Sequence, residues 1–264
     1  MQNRIVIITG ASSGIGLAAC KLFLEKGDKV YGLSRRPCPE KGVISLSADI
    51  TDEAAVKAAF SRVLEAEGRI DVLVCNAGFG ISGAVEFTEM SEAKRQFDVN
   101  FFGAAVCMKA ALGPMREQRS GKIIVTSSVA GALSIPFQAY YSATKAALDS
   151  LVLATANEVR PFNIKVCAVL PGDIKTGFTD ARAKEQNGEN EYKALKRSVQ
   201  TMEHDERSGM PPAAIAKRMY ALSKKKSPKP LSSVGLSYKT FCVLGKVLPS
   251  RFSNWVVGKI YAKN

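Results

Sequence analysis

Residues 9–16 read TGASSGIG, with glycines at positions 10, 14 and 16. The preceding RIVIIT (4–9) is an apolar, β-branched run of strand type, and residues 14–26 carry a helical pattern. Gly10, Gly14 and Gly16 let the backbone turn tightly and approach a ligand without Cβ clashes, and Ser12, Ser13 and Ile15 fill the turn. The helix that follows presents free N–H groups and a positive dipole end, which together favour a phosphate. A strand, a glycine turn and a helix in this register predict a dinucleotide-binding loop.

The same alternation runs outward from that turn. Strand-like runs recur at 29–34, 43–48, 71–75, 122–128 and 164–170, and a short edge strand is expected within SPKPLSSVG (227–235). Helical patterns fall at about 52–66, 95–118, 139–160 and 211–226. Repeated β-α-β units predict an α/β fold: one doubly wound Rossmann domain with a mostly parallel seven-stranded sheet and helices on both faces. Ligands then bind beyond the carboxyl ends of the strands. Residues 175–210 are polar and read as a helical lid over the substrate. The domain is assigned to 1–230, and 231–264 to a C-terminal extension of two short amphipathic helices broken at Pro249.

Charge is unevenly placed. The chain of 264 residues has a formal net charge of +13, yet residues 207–264 hold 12 Lys and Arg and no Asp or Glu. A basic, amphipathic tail of this kind is expected to make peripheral contact with a membrane, through Phe241, Leu244, Phe252, Trp255 and Val256. No nucleic-acid motif accompanies the charge, so nucleic acid is not an expected partner. Six scattered cysteines without a C-x-x-C pair read as reduced thiols. The first strand leaves no room for a leader, and the expected setting is cytoplasmic, with membrane association through the tail. No metal-ligand spacing is present.

Two stretches carry chemistry. At the end of the second strand stand Ser34, Arg35 and Arg36, where a carboxylate would bond the ribose hydroxyls of NAD. Guanidinium groups suit a 2′-phosphate, so the expected cofactor is NADP(H). The stretch YYSATK (140–145) offers two tyrosines and a lysine. On a helix, i and i+4 share a face, which pairs Tyr141 with Lys145 and turns Tyr140 away. A nearby ammonium, with the positive ring of the oxidised cofactor, is expected to lower the tyrosine pKa into the working range of a general acid or base.

With these residues in place, the chain resembles the short-chain dehydrogenases/reductases. TGASSGIG, CNAG (75–78), DVNFFG (98–103), VTSSVAG (125–131), YYSATK and PGDIKT (171–176) match that family's motifs in order. The resemblance implies that Tyr141 exchanges the substrate proton, Lys145 also bonds the nicotinamide ribose, Ser128 orients the carbonyl and Asn100 holds a relay water. The family's serine precedes its tyrosine by thirteen residues, which selects Ser128 over Ser127. By the same resemblance Asp49 and Ile50 contact adenine. Asn76, Ala77 and Gly78 line the cofactor, and Pro171, Gly172, Ile174 and Thr176 meet the nicotinamide.

Within the family the pattern looks most like the hydroxysteroid and retinol dehydrogenase branch. That implies a hydrophobic small-molecule substrate, a steroid-like or other lipophilic ketone or secondary alcohol, with a 3-oxoacyl or broad small-carbonyl reductase as the alternative and a catalytically silent NADP-binding regulatory protein as the less favoured one. The expected substrate wall is Ala130, Leu133, Ile135, Pro136 and Phe137, with Phe178 and Met202 from the lid. His204 is expected at the surface. A homodimer or higher homo-oligomer is expected, although the tail departs from the pattern of the family's usual tetramer.

Overall fold

Every residue of strand β1 (Ile5–Thr9) is buried, as a strand covered on both faces requires. The computed structural model describes residues 3–184 and 188–262. After β1 come α1 (Gly14–Glu25), β2 (Lys29–Ser34), β3 (Ile44–Ser47), α2 (Glu53–Glu67), β4 (Val72–Cys75), β5 (Ile81–Ser82) and α3 (Met90–Phe97). Then follow α4 (Gly103–Gln118), β6 (Gly121–Thr126), α5 (Ala139–Glu158), β7 (Ile164–Leu170), α6 (Phe178–Ala181) and β8 (Ala183–Lys184). The chain closes with α7 (Ala194–Ser208), α8 (Pro212–Lys224), β9 (Leu231–Ser233), α9 (Leu236–Val247) and α10 (Ser250–Tyr261).

Seven strands form one sheet in the order β3-β2-β1-β4-β6-β7-β9, and every pairing is parallel. Successive side chains of β1 point to opposite faces. Ile5 and Ile7 join a core built with Phe60 of α2, Cys107 of α4 and Leu148 of α5, whereas Val6 and Ile8 meet Phe23 of α1 and Met219 of α8. The chain moves outward through β2 and β3, then returns to place β4 on the other side of β1. This reversal opens a crevice at the carboxyl ends of β1 and β4, where Gly10 and Asn76 stand.

Two local features differ from the sequence expectation. The helix predicted over 95–118 starts at Met90 and passes through a π-helical turn at Asp98–Phe102. Only Ala93 and Gln96 are buried in α3, so its apolar periodicity is too sparse to mark the start. Strands β5 and β8 pair with each other in a separate two-stranded sheet. Two residues are too few to show an alternating pattern. The predicted lid includes α6, β8 and α7, while its residues 185–187 lie outside the described residues.

Candidate active site

The glycine turn fits a dinucleotide backbone by its lack of side chains. Gly10 has φ +68 and Gly14 φ +54, the left-handed region that favours glycine. A Cβ on Gly16 would stand 2.2 Å from the Gly10 carbonyl oxygen, so α1 can begin this close to the strand only with glycine there. Ser13 precedes α1 in extended conformation, and its hydroxyl makes no capping bond with the helix. The opposite wall is held by Thr9, whose Oγ1 accepts the N–H groups of Asn76 (2.9 Å) and Ala77 (3.0 Å). Asn76 Nδ2 donates to the Thr9 carbonyl at 3.2 Å and Thr126 Oγ1 to Asn76 Oδ1 at 3.2 Å. Thr176 comes within 3.6 Å of a Cβ built on Gly14, so the PGDIKT loop closes over the glycine turn.

At the β2 end, the Arg35 side chain is 80% exposed and lies 4.0 Å from Asp49 Oδ2. Asp49 Oδ1 accepts from the Thr51 N–H (3.0 Å) and hydroxyl (2.8 Å). These bonds, more than Arg35, hold its carboxyl below the usual range against a smaller opposing effect of burial. Ile50 is buried against Gly103 at the start of α4.

Helix α5 and the ends of β4 and β6 gather the side chains predicted to act. Lys145 is buried, and its Nζ donates to the Thr126 carbonyl at 2.8 Å. A Cβ on Gly78 would lie 3.0 Å from Asn100 Oδ1 and 3.8 Å from Lys145 Nζ, so the N-A-G segment, the π turn and α5 converge. Fully buried Asn100 accepts the Phe79 N–H at 2.9 Å, donates to the Phe79 carbonyl at 2.9 Å and reaches Thr144 Oγ1 at 3.3 Å. A π turn widens a helix locally and is often found at functional positions; here it bears Asn100.

The two serines separate cleanly. Ser127 Oγ donates to the Lys145 carbonyl at 3.2 Å and is used in anchoring α5. Ser128 Oγ accepts the Ala130 N–H at 3.1 Å and hydrogen-bonds with Tyr141. The tyrosines separate too: the Tyr140 hydroxyl lies 3.8 Å from Met90 Sδ at the surface, while the Tyr141 ring centroid is 5.5 Å from Lys145 Nζ.

In the chain by itself, burial shifts both the tyrosine and the lysine. Without cofactor, Tyr141 is pushed up to about 12, by burial first; the Ser128 hydrogen bond opposes this, and Glu206 and Asp173 add to it. Lys145 is pulled down to about 8 by burial, against the pull of the Asp149 carboxylate. The Lys145 ammonium faces the Thr126 carbonyl, and desolvation of the phenolate outweighs the Ser128 hydrogen bond and the Arg182 guanidinium. The chain alone does not lower the tyrosine pKa.

A profile of the family described as short chain dehydrogenase matches residues 4–187. The chain belongs to the short-chain dehydrogenases. It is 40% identical to a 3-ketodihydrosphingosine reductase of Bacteroides thetaiotaomicron over 99% of each chain. It is 35% identical to human 17-beta-hydroxysteroid dehydrogenase type 1, over 68% of this chain and 60% of that one. A short-chain dehydrogenase of Streptomyces avermitilis has the same fold, with TM-score 0.85, 30% identity and coverage of 98% and 97%. The protein is therefore an oxidoreductase of this family, and family members work with nicotinamide cofactors.

The far side of this short-chain dehydrogenase's site joins the expected Phe178 to Arg182, Glu206 and Tyr238, which motif reading missed. Phe178 of α6 stacks at 5.8 Å from the Tyr141 ring and against Gly80. Behind it, the buried Arg182 side chain pairs with Glu206 of α7, which also accepts from Thr179 at 2.6 Å. The PGDIKT loop is clamped from two directions. Met210 N–H donates to the Asp173 carbonyl at 2.9 Å. The Tyr238 hydroxyl of α9 donates to Asp173 Oδ2 at 2.7 Å and accepts the Asp173 N–H at 3.1 Å. Of the expected wall, Ala130 and Met202 are buried, Phe137 adopts φ +61 with its ring near Tyr192, and Leu133 faces Gly245 of α9. His204 is exposed on α7. No local pattern marks Arg182, Glu206 and Tyr238, because their partners lie 24 and 65 residues away.

Proposed function

We propose that this short-chain dehydrogenase is an NADP(H)-dependent reductase that interconverts a ketone and a secondary alcohol on a lipophilic substrate. The observation that carries the reading is the convergence of Ser128, Tyr141, Lys145 and Asn100 beside the glycine cradle. The cradle fits a dinucleotide, since its close approaches tolerate no Cβ at Gly16. Arg35, exposed at the β2 end with no carboxylate on β2, supports the 2′-phosphate and hence NADP(H) over NAD.

When bound, the reduced cofactor supplies a hydride to the carbonyl carbon. Ser128 holds the carbonyl oxygen by donating its hydroxyl hydrogen. Tyr141 gives its phenolic proton to that oxygen, and the ketone becomes an alcohol. Lys145, with its Nζ 5.5 Å from the Tyr141 ring centroid, then supports the phenolate, and Asn100 would hold a relay water that returns the proton. In the chain without cofactor Tyr141 holds its proton, the form that donates to a carbonyl oxygen.

The substrate class follows from the apolar wall and from the relatives. Similarity to the 3-ketodihydrosphingosine reductase includes the C-terminal helices that abut the site, whereas the steroid dehydrogenase aligns over only 68% of the chain. A long-chain amino ketone is therefore preferred to a steroid. The assembly proposed is a homodimer or higher homo-oligomer, which light scattering reads directly.

The test is NADPH oxidation against 3-ketodihydrosphingosine, steroid ketones and short acyl ketones. Tyr141→Phe should remove turnover and leave NADPH binding by calorimetry nearly intact, and Tyr140→Phe should retain activity. Turnover retained by Tyr141→Phe, or activity on none of the ketones, would overturn the proposal.

A further inference from the structure

Helix α9 is apolar on two opposite sides. Its inner side is set by Tyr238, Cys242 and Gly245 at i, i+4 and i+7. Tyr238 bonds Asp173, Cys242 packs against the main core, and Gly245 lies on Leu133, where a Cβ would stand 2.7 Å from Cδ2. A surface helix normally turns polar residues outward. The outer side of α9 instead presents Leu236, Val243 and Val247, which are 81%, 60% and 76% exposed, with Leu244 beside them.

Helix α10 continues the surface. Phe252 and Trp255 are exposed with ring centroids 5.9 Å apart, and Lys259 Nζ lies 5.9 Å from the Trp255 centroid. Among the described residues, eight of the fourteen exposed large apolar side chains fall between 236 and 260. Lys239, Arg251 and Lys259 are exposed on the same two helices. A second copy of the chain would set this cationic surface against itself, with no acidic residue in 207–264 to compensate. An anionic lipid surface has the complementary charge, and an aromatic pair with basic neighbours suits the headgroup region. No described helix is long and apolar enough to cross a membrane, so the geometry is that of helices lying on a bilayer.

We propose that the outer face of α9 and α10 docks the protein on the surface of an anionic lipid bilayer. Leu236, Val243, Val247, Phe252 and Trp255 enter the headgroup–acyl boundary, and the cations face lipid phosphates. The inner face of α9 contacts the PGDIKT loop through Tyr238, so docking sets the mouth of the site close to the lipid. That last step rests on the lipophilic-substrate reading above; the docking itself does not.

The experiment is flotation of the full chain with phosphatidylcholine vesicles with and without phosphatidylglycerol, read as bound fraction with no turnover involved. Wild type should float with the anionic vesicles and release as salt rises. Val243→Glu/Val247→Glu and Trp255→Glu, outward changes checked for folding by thermal melting, should each weaken binding by about tenfold or more. Absence of wild-type flotation on anionic vesicles, or equal flotation of the variants, would overturn the proposal. So would variants that leave flotation unchanged and split an oligomer by light scattering, since the face would then be a contact between copies.

Discussion

Gly172→Ala probes whether the C-terminal helix is built into the PGDIKT loop. Gly172 does not occupy the left-handed region, so alanine brings no backbone strain there. Its added Cβ would meet Cε1 and Cζ of the Tyr238 ring at 2.2 Å, where ordinary contact begins near 3.4 Å. The ring must retreat by about 1 Å or more, a displacement in the overpacking range of roughly 1–3 kcal/mol. Retreat also loosens the two hydrogen bonds between the Tyr238 hydroxyl and Asp173, each worth about 1 kcal/mol. The sum is about 2–4 kcal/mol, and at roughly 2–4 °C per kcal/mol for a chain of this size the melting temperature should fall by about 4–16 °C. The assay is a thermal-melt cycle with Tyr238→Ala. Removing the ring frees the space, so Gly172→Ala should cost little in that background, leaving a coupling of about 2 kcal/mol. Equal cost of Gly172→Ala in both backgrounds would refute the packing of α9 on this loop.

Arg35→Ala should raise the NADPH Michaelis constant by about tenfold, the worth of one charge-assisted hydrogen bond, with little change for NADH; equal losses would contradict the 2′-phosphate assignment. Arg182→Met should cost about 3 kcal/mol in a melt because it leaves Glu206 without its buried cation, and Arg182→Met/Glu206→Met should recover part of that. A pH profile tests the depressed lysine. Lys145 keeps its proton below about 8 and loses it above, so ketone reduction should decline on the alkaline side as that cation disappears. Asp149→Asn removes a charge that holds this pKa up, so the decline should move to lower pH, and an unmoved limb would sink the assignment.

How much could be read in advance depended on how local each feature is. The glycine turn was legible because turn geometry and helix start sit within eight residues. The doubly wound sheet was legible for a related reason: each strand announces itself as a short apolar run, and right-handed crossovers leave few arrangements. Choosing Tyr141 over Tyr140 needed only helical periodicity. Choosing Ser128 over Ser127 needed the family spacing, and the structure adds a cause, since the Ser127 hydroxyl is engaged with the Lys145 carbonyl. The upward shift of Tyr141 in the chain by itself was not legible. Spacing reports that an ammonium is near, whereas the outcome depends on desolvation by Phe178 and the lid, and on the direction in which Lys145 donates.

The tail shows the same limit from the other side. Its periodicity reveals amphipathic helices, but α9 has two apolar faces, and sequence alone does not say which is packed. Of the residues expected to meet a membrane, Phe241, Leu244, Phe252 and Trp255 are exposed and Val256 is only half-exposed, while Leu236, Val243 and Val247 stand furthest out. Tyr238 breaks the tie: its hydroxyl is committed to Asp173, 65 residues earlier, which fixes the rotation of α9 about its axis. That one contact makes the helix a wall of the PGDIKT loop on one side and an exposed apolar surface on the other. The chemistry in YYSATK could thus be read from neighbours in sequence, whereas what reaches it is decided by contacts between residues far apart in the chain.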